Sequence, residues 1–188
     1  YLGPRQPRLV AVGGLSGTGK SVLAEGLAPD LGPHGGAVVL RSDVIRKQLA
    51  GVEPTRRLGP EAYGPDMNEK VHDTMCRLAG EVLAAGFPVI ADAVHAGAPE
   101  RVAIAAVADR AGAAFDGLWL DAADDVRIAR VRGRRGDVSD ATREIARAQG
   151  KYDIGEVDWR RIDATGDAPR VVLEARNALN LGIKRPTL

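Results

Sequence analysis

With 188 residues, 45% of them apolar and 27% charged, the chain has the size and balance of one globular domain with a sizeable core. Its 26 basic and 25 acidic side chains leave a net charge of +1, and aromatics are only 4%, so neither a global field nor a set of stacking platforms draws it to nucleic acid. No stretch approaches the roughly 18 apolar residues of a membrane span and no signal peptide opens the chain. The single cysteine, Cys76, excludes an internal disulfide framework or a cysteine-rich metal site; it reads as a small core residue in a helix, and a reducing cytoplasm is the expected compartment.

Residues 1–8 hold two prolines and two arginines and read as a linker entering a single domain over 9–188. A first strand is predicted at 9–12, followed by a helix from about 20 to 31, a second strand at 37–41 ("AVVLR") and a short helix at 44–49. Residues 50–65 are rich in Gly and Pro and form a loop long enough to be functional. The clearest helix covers 66–85. Val71, Met75, Leu78 and Val82 make its apolar stripe, Asp66 with Glu69 resembles a capping box, and Gly86 ends it. A third strand follows at 88–92 ("PVIAD"), then a helix from Pro99 to about 110, a fourth strand ("AFDGLWL") and a helix at 124–132. Residues 133–139 are a polar break. A helix over 140–149, a short fifth strand ("RRIDA") and a closing helix at 169–181 complete the chain. This alternation predicts an α/β fold, one parallel sheet with helices on both faces.

"GGLSGTGKS" carries the pattern G-x-x-x-x-G-K-[ST] between the first strand and its helix. Glycines let the backbone N–H groups turn inward, and together with the helix N-terminus they attract phosphates. Gly14, Leu15, Ser16, Gly17, Thr18, Gly19, Lys20, Ser21 and Val22 are therefore the expected nucleotide-binding segment. Lys20 would reach the β- and γ-phosphates and Ser21 would bind Mg²⁺. No N-K-x-D stretch is present to read guanine, which favours ATP.

Ligands of open parallel sheets bind at the carboxyl ends of the strands. After strand two stand Asp43 and Arg46, three apart and on one face of a helix start. Asp43 could take the proton of an attacking hydroxyl while Arg46 holds a substrate anion. Asp43 could also serve as a helix N-cap, and the two roles are compatible. Asp92 ends strand three as a Walker-B-like h-h-h-D, suited to holding the water shell of Mg²⁺. Asp121 ends "GLWLD" in the same way; Asp92 is preferred as the metal-associated carboxylate and Asp121 as a cap of the next helix. Asp163 and Thr165 follow strand five.

"VRIARVRGRRGDVSDA" holds Arg127, Arg130, Arg132, Arg134 and Arg135. Arg127, Arg132 and Arg135 read as a solvated face. Arg130 and Arg134 straddle Gly133, where the helix should loosen, and a lid at about 133–139 bearing both could close over the transferred phosphate. Asp137, Ser139 and Asp140 would organise that lid. His34, His72 and His95 lack a metal spacing; His95, three past Asp92, could touch substrate, and Tyr63 could stack on it. Trp119 reads as core.

Taken together, "GGLSGTGKS", "LRSDVIRKQL", "VIADAV", "WLDA" and "RVRGRRGDVSDAT" resemble the P-loop kinases of the AAA_33 type, grouped with polynucleotide kinase, zeta toxin and chloramphenicol phosphotransferase. The resemblance runs from about 9 to 178 and is nearest to the C-terminal half of bacterial proteins that fuse an aminoglycoside phosphotransferase to an ATP-binding half. It implies a sheet of order 2-3-1-4-5, Asp43 as general base, Arg46 on the substrate or its phosphate, and Arg130 and Arg134 on ATP. It also implies an attached N-terminal phosphotransferase-like domain. The expected activity is ATP- and Mg²⁺-dependent phosphorylation of a small-molecule hydroxyl. The alternatives are a polynucleotide 5′-hydroxyl kinase, which the near-neutral charge disfavours, and an ATP-binding regulatory module, which Asp43 with Arg46 disfavours.

Overall fold

The computed structural model describes residues 7–32, 36–53, 55–133, 143–150 and 152–181. Five strands form one parallel sheet: β1 Arg8–Gly13, β2 Val38–Arg41, β3 Val89–Asp92, β4 Ala114–Asp121 and β5 Arg160–Asp163. Their spatial order is β2-β3-β1-β4-β5, the order that the resemblance implied. β1 lies at the centre, and Leu9 to Val12 are fully buried. A strand covered on both faces needs a continuous apolar run rather than alternation, and "LVAV" supplies it.

Side chains leave a strand alternately up and down, so β1 feeds two cores. Leu9 and Ala11 face Ile45 of α2 (Ser42–Leu49), Val71, Met75 and Leu83 of α3 (Pro65–Ala84), Ile104 of α4 (Ala98–Arg110), and Trp119. Val10 and Val12 face Leu23 and Leu27 of α1 (Lys20–Leu27) and Val171 and Ala175 of α7 (Ala168–Ala178). Cys76, half-buried on α3, packs at the edge of the first core. The result is three layers, with α5 (Asp124–Gly133) and α6 (Arg143–Gln149) packed on each other.

Several boundaries move for local reasons. α1 stops at Leu27 and tightens into a 3₁₀ turn over Ala28–Asp30, because Pro29 cannot donate to the helix. The expected capping box on α3 does not form. Gly64 is the N-cap and Pro65 takes the first helical position, which leaves Asp66 inside the first turn, favourable to the helix dipole. The buried stripe of α3 is Val71, Met75, Ala79 and Leu83; Leu78 and Val82 sit half-buried at its flank. The 50–65 loop contains a 3₁₀ helix over Pro60–Tyr63. α5 is helical as far as Gly133, and the expected loosening beyond it falls on residues 134–142, outside the described ones. Arg134, Arg135, Asp137, Ser139, Asp140, His34 and residues 1–6 lie outside the described residues, as does most of the expected lid. Among the described residues no helix is long and apolar enough to cross a membrane.

Candidate active site

β1 hands the chain to the glycine-rich loop. Gly14 N–H donates to the Val94 carbonyl at 3.1 Å, tying the loop to the segment that follows β3. Thr18 Oγ1 and Lys20 Nζ donate to the Leu15 carbonyl at 2.9 and 3.3 Å, folding the loop on itself. Gly19 forms the N-cap of α1 at φ 95°, a left-handed conformation that disfavours a side chain, and nothing stands within 4 Å of where its Cβ would be. α1 begins with no side-chain cap and no acidic residue in its first turn. No side chain of the helix caps its N-terminal donors, which suits this end to an anion.

Ser21, on the first turn of α1, donates its hydroxyl to Asp92 Oδ2 at 2.6 Å. β3 pairs directly with β1, Asp92 opposite Val12, and this register brings the strand-end carboxylate beneath the loop. Asp92 is 4% exposed, and burial pushes its carboxyl above the usual range. Lys20, the Ser21 hydroxyl and Arg41 oppose that shift, and Asp43 adds to it. Arg41 Nε lies 3.6 Å from Asp92 Oδ2. A hydroxyl and a carboxylate beside a phosphate loop are hard oxygen donors of the kind Mg²⁺ takes, so Ser21 and Asp92 fit the metal that the fold family implies. Asp121 is elsewhere. It is exposed and pairs with Arg161 of β5 at 2.9 Å, so it neither joins the site nor caps α5, which starts at Asp124.

β2 delivers Asp43 and Arg46 to the same place. Asp43 sits in the first turn of α2, whose N-cap is Arg41, so it is not the cap. Arg46 is buried, donates from Nη1 to the Ala62 carbonyl at 2.8 Å, and lies 4.8 Å over the Tyr63 ring. The long loop thereby docks on Arg46, and Tyr63 stacks on the arginine. Burial lowers the pKa of Arg46, against the pull of Tyr63 and Asp43. One cavity of about 290 Å³ is shared by Lys20, Ser21, Asp43, Arg46 and Asp92, with Gln149 among its other walls. His95 and His72 also line it. His95 is buried at φ 49°, neither ring nitrogen has a well-aligned hydrogen-bond partner, and burial pulls its pKa down to about 3.

Arg130 opens onto a different space. Its guanidinium donates to the carbonyls of Ala164 at 2.6 Å, Gly166 at 2.7 Å and Thr165 at 3.2 Å. With Thr18, Gly19, Val22 and Val171 it lines a neighbouring cavity of about 410 Å³ beside the start of α1. The segment after β5 is itself set by Asp163, which accepts from the Thr165 N–H at 2.9 Å. Arg127 corrects the expectation of a solvated face. It is 1% exposed, donates from Nη1 to the Ser16 carbonyl at 3.1 Å and pairs through Nη2 with Asp124 at 2.7 Å. Its only sequence signal is Asp124 three residues earlier on the same helix. Gln149 belongs to no motif in the sequence. Its Oε1 accepts the Ser16 N–H at 2.7 Å, and no spacing in the sequence announces that contact.

The AAA_33 family model, described as an AAA domain, matches residues 9–152. Proteins of Mycobacterium tuberculosis and Mycobacterium bovis, both uncharacterised, are 34% identical over 177 residues, a match covering 89% of this chain and 34% of each relative. The chain therefore spans about a third of the length of the curated relatives it matches, and a match confined to this part gives the expected fused phosphotransferase-like domain no support. Among solved structures, the APS kinase of Mycobacterium tuberculosis in complex with AMPPNP and APS superposes with a TM-score of 0.66 at 22% identity, over 95% of this chain and 98% of that one. A gluconokinase from Sinorhizobium meliloti 1021 gives 0.60 at 23%, over 94% and 97%. A sugar kinase from Janibacter sp. HTCC2649 gives 0.64 at 20%, over 94% and 96%. At these identities the likeness is one of fold.

Proposed function

Since the chain belongs to the AAA_33 family, we propose that it is a kinase that transfers the γ-phosphate of ATP to a hydroxyl of a small molecule. The observation that carries this reading is the shared cavity. The phosphate loop with Lys20 and Ser21 forms one wall, and Asp43 with Arg46 forms another. Lys20 and the backbone N–H groups at the start of α1 hold the phosphates, while the N–H groups of Gly14, Ser16 and Thr18 are taken up in shaping the loop, and the cavity beside Arg130 takes the base. The fit is chemical: that cavity is walled by the flat guanidinium and by aliphatic Val22 and Val171. Ser21 and Asp92 would hold Mg²⁺, which neutralises charge on the phosphates when bound.

Asp43 orients the acceptor hydroxyl and takes its proton. The hydroxyl oxygen bonds to the γ-phosphorus as the bond to the β-γ bridging oxygen breaks, and ADP leaves. Arg46 holds the acceptor, and Tyr63, stacked on its guanidinium in the same cavity, steadies it. Small-molecule kinases among the structural neighbours, named for gluconate, sugars and APS, support an acceptor of modest size.

ATP turnover measured with and without hydroxyl-bearing compounds tests the reading. Turnover should rise when an acceptor is added. A slow hydrolysis indifferent to every acceptor would favour an ATP-binding regulatory module instead.

A further inference from the structure

The peptide of Ser16 is gripped from both sides. Its carbonyl accepts from Arg127 of α5, and its N–H donates to Gln149 Oε1 of α6 at 2.7 Å. Gln149 is 7% exposed, so the contact is sheltered from water. A backbone N–H can meet only the oxygen of a carboxamide, which fixes the orientation of the whole group. Nε2, with its two protons, is therefore directed away from the Ser16 N–H. Among the described residues no acceptor is bonded to it. Gln149 lines the cavity that also holds Lys20, Ser21 and Asp43. The end of α6 lies close against the Asp124–Arg127 pair: a Cβ on Gly150 would stand 3.0 Å from Asp124 Oδ2 and 3.4 Å from Arg127 Nη2.

We propose that Gln149 presents Nε2 to the terminal phosphate of the bound nucleotide, and so acts as a phosphate-contacting donor of the transfer site. A neutral, pre-oriented amide can donate to charge that spreads over the transferring group without paying a reorganisation cost at the moment of reaction. Oε1 is the anchor and Nε2 the working end. The anchor is on the loop itself, so the donor keeps its distance to the phosphates if the loop shifts. This rests on the phosphotransfer reading above, to which it adds a residue.

Gln149→Glu separates the two ends. It keeps an oxygen for the Ser16 N–H and replaces the Nε2 donor by a second carboxylate oxygen. Binding of ADP and of a non-hydrolysable ATP analogue is measured by calorimetry on the whole chain, together with the thermal midpoint. The expected result is ADP affinity within about threefold of wild type and analogue affinity lowered at least about tenfold, the scale of a lost hydrogen bond to a charged group. The thermal midpoint should fall, because the new carboxylate is buried, and both affinities are therefore measured at a temperature where wild type and variant are fully folded. If Gln149→Glu binds both nucleotides like wild type, Gln149 only braces the loop and the proposal is overturned. Gln149→Ala serves as the second variant should the glutamate chain fail to fold. Its ratio of analogue affinity to ADP affinity should fall at least about tenfold below that of wild type, and an unchanged ratio would count equally against the proposal. A wild-type chain that binds neither nucleotide would overturn the kinase reading itself, an outcome distinct from the other two.

Discussion

Asp92 carries the sharpest conflict between folding and function at the scale of single residues. Burial raises its pKa, so its charged form is the one the ligand-free fold disfavours. A raised pKa contributes stability that is complete below the ordinary value of 3.8 and is lost as the pH rises through the shifted value. The ionised carboxylate is therefore a cost to the ligand-free fold, one that a divalent cation held by Ser21 and Asp92, as proposed above, would offset. Asp92→Asn keeps an acceptor for the Ser21 hydroxyl and removes the charge. Its thermal midpoint without nucleotide should equal or exceed wild type, by about 2–4 °C for each kcal/mol relieved, while Mg²⁺-dependent ATP affinity falls. Differential scanning calorimetry and titration calorimetry check the two halves separately.

His95 shows the opposite sign. Its pKa is lowered to about 3 by burial, with His72, Lys20 and Arg101 opposing the charged form and the Ala91 backbone favouring it. Trp159 packs on it edge to face at 5.2 Å. The fold holds the neutral ring, so its contribution is complete above about 6.5 and is lost as pH falls toward about 3. Urea unfolding should show stability falling over that window by up to about 1.4 kcal/mol per pH unit from this one group. His95→Asn tolerates the left-handed backbone and should flatten that slope. Lys20, Ser21, Asp43, Arg46 and Asp92 were legible in the sequence because each sits at a fixed offset from a strand end. His95's burial was not legible, since it depends on Trp159, which comes 64 residues later.

The phosphate loop is held by its neighbours at the scale of elements, and this was the least legible part. A Cβ on Gly17 would lie 2.4 Å from the Arg127 carbonyl, so the first turn of α5 touches the loop directly. Gly17 also has φ 92°. Gly17→Ala is therefore strained twice, by backbone and by contact, and should cost at least about 1–3 kcal/mol in chemical denaturation. Arg127→Met removes the bond to the Ser16 carbonyl and the pairing with Asp124. A loss of about 1.5–3 kcal/mol is expected, with weaker ATP binding. Arg127→Lys should not restore either, because one ammonium lacks the fork that serves two acceptors. A run of five arginines looks the same in sequence whether its members are solvated or buried. Asp124 beside Arg127 and the carbonyls after β5 beside Arg130 decide the matter, and those partners come from tertiary packing. The α3 stripe drifted for a similar reason: α2 on one side and α4 on the other select the Val71–Met75–Ala79–Leu83 line over the expected one.

The sheet of the whole molecule was readable from the alternation of apolar runs and helical patterns, and its strand order from the resemblance. Both are found in the structure. That order places β1 between β3 and β4, so the phosphate loop, Asp92 and the segment after β5 open on one edge. The loop of residues 50–65 held no readable code, because its structure comes from docking Tyr63 on Arg46 rather than from local propensity. The central claim is that this edge joins a nucleotide donor to a hydroxyl acceptor, with Asp43 between them. Its most direct test is transfer of radiolabelled γ-phosphate from ATP to a panel of sugars, nucleosides, antibiotics and oligonucleotides, by wild type and by Asp43→Asn. The account predicts labelled product on one class of small-molecule hydroxyl, lost in Asp43→Asn while ATP binding stays near wild type. ATP consumed with no labelled acceptor, label on oligonucleotide 5′ ends alone, or transfer by Asp43→Asn at the wild-type rate would contradict it.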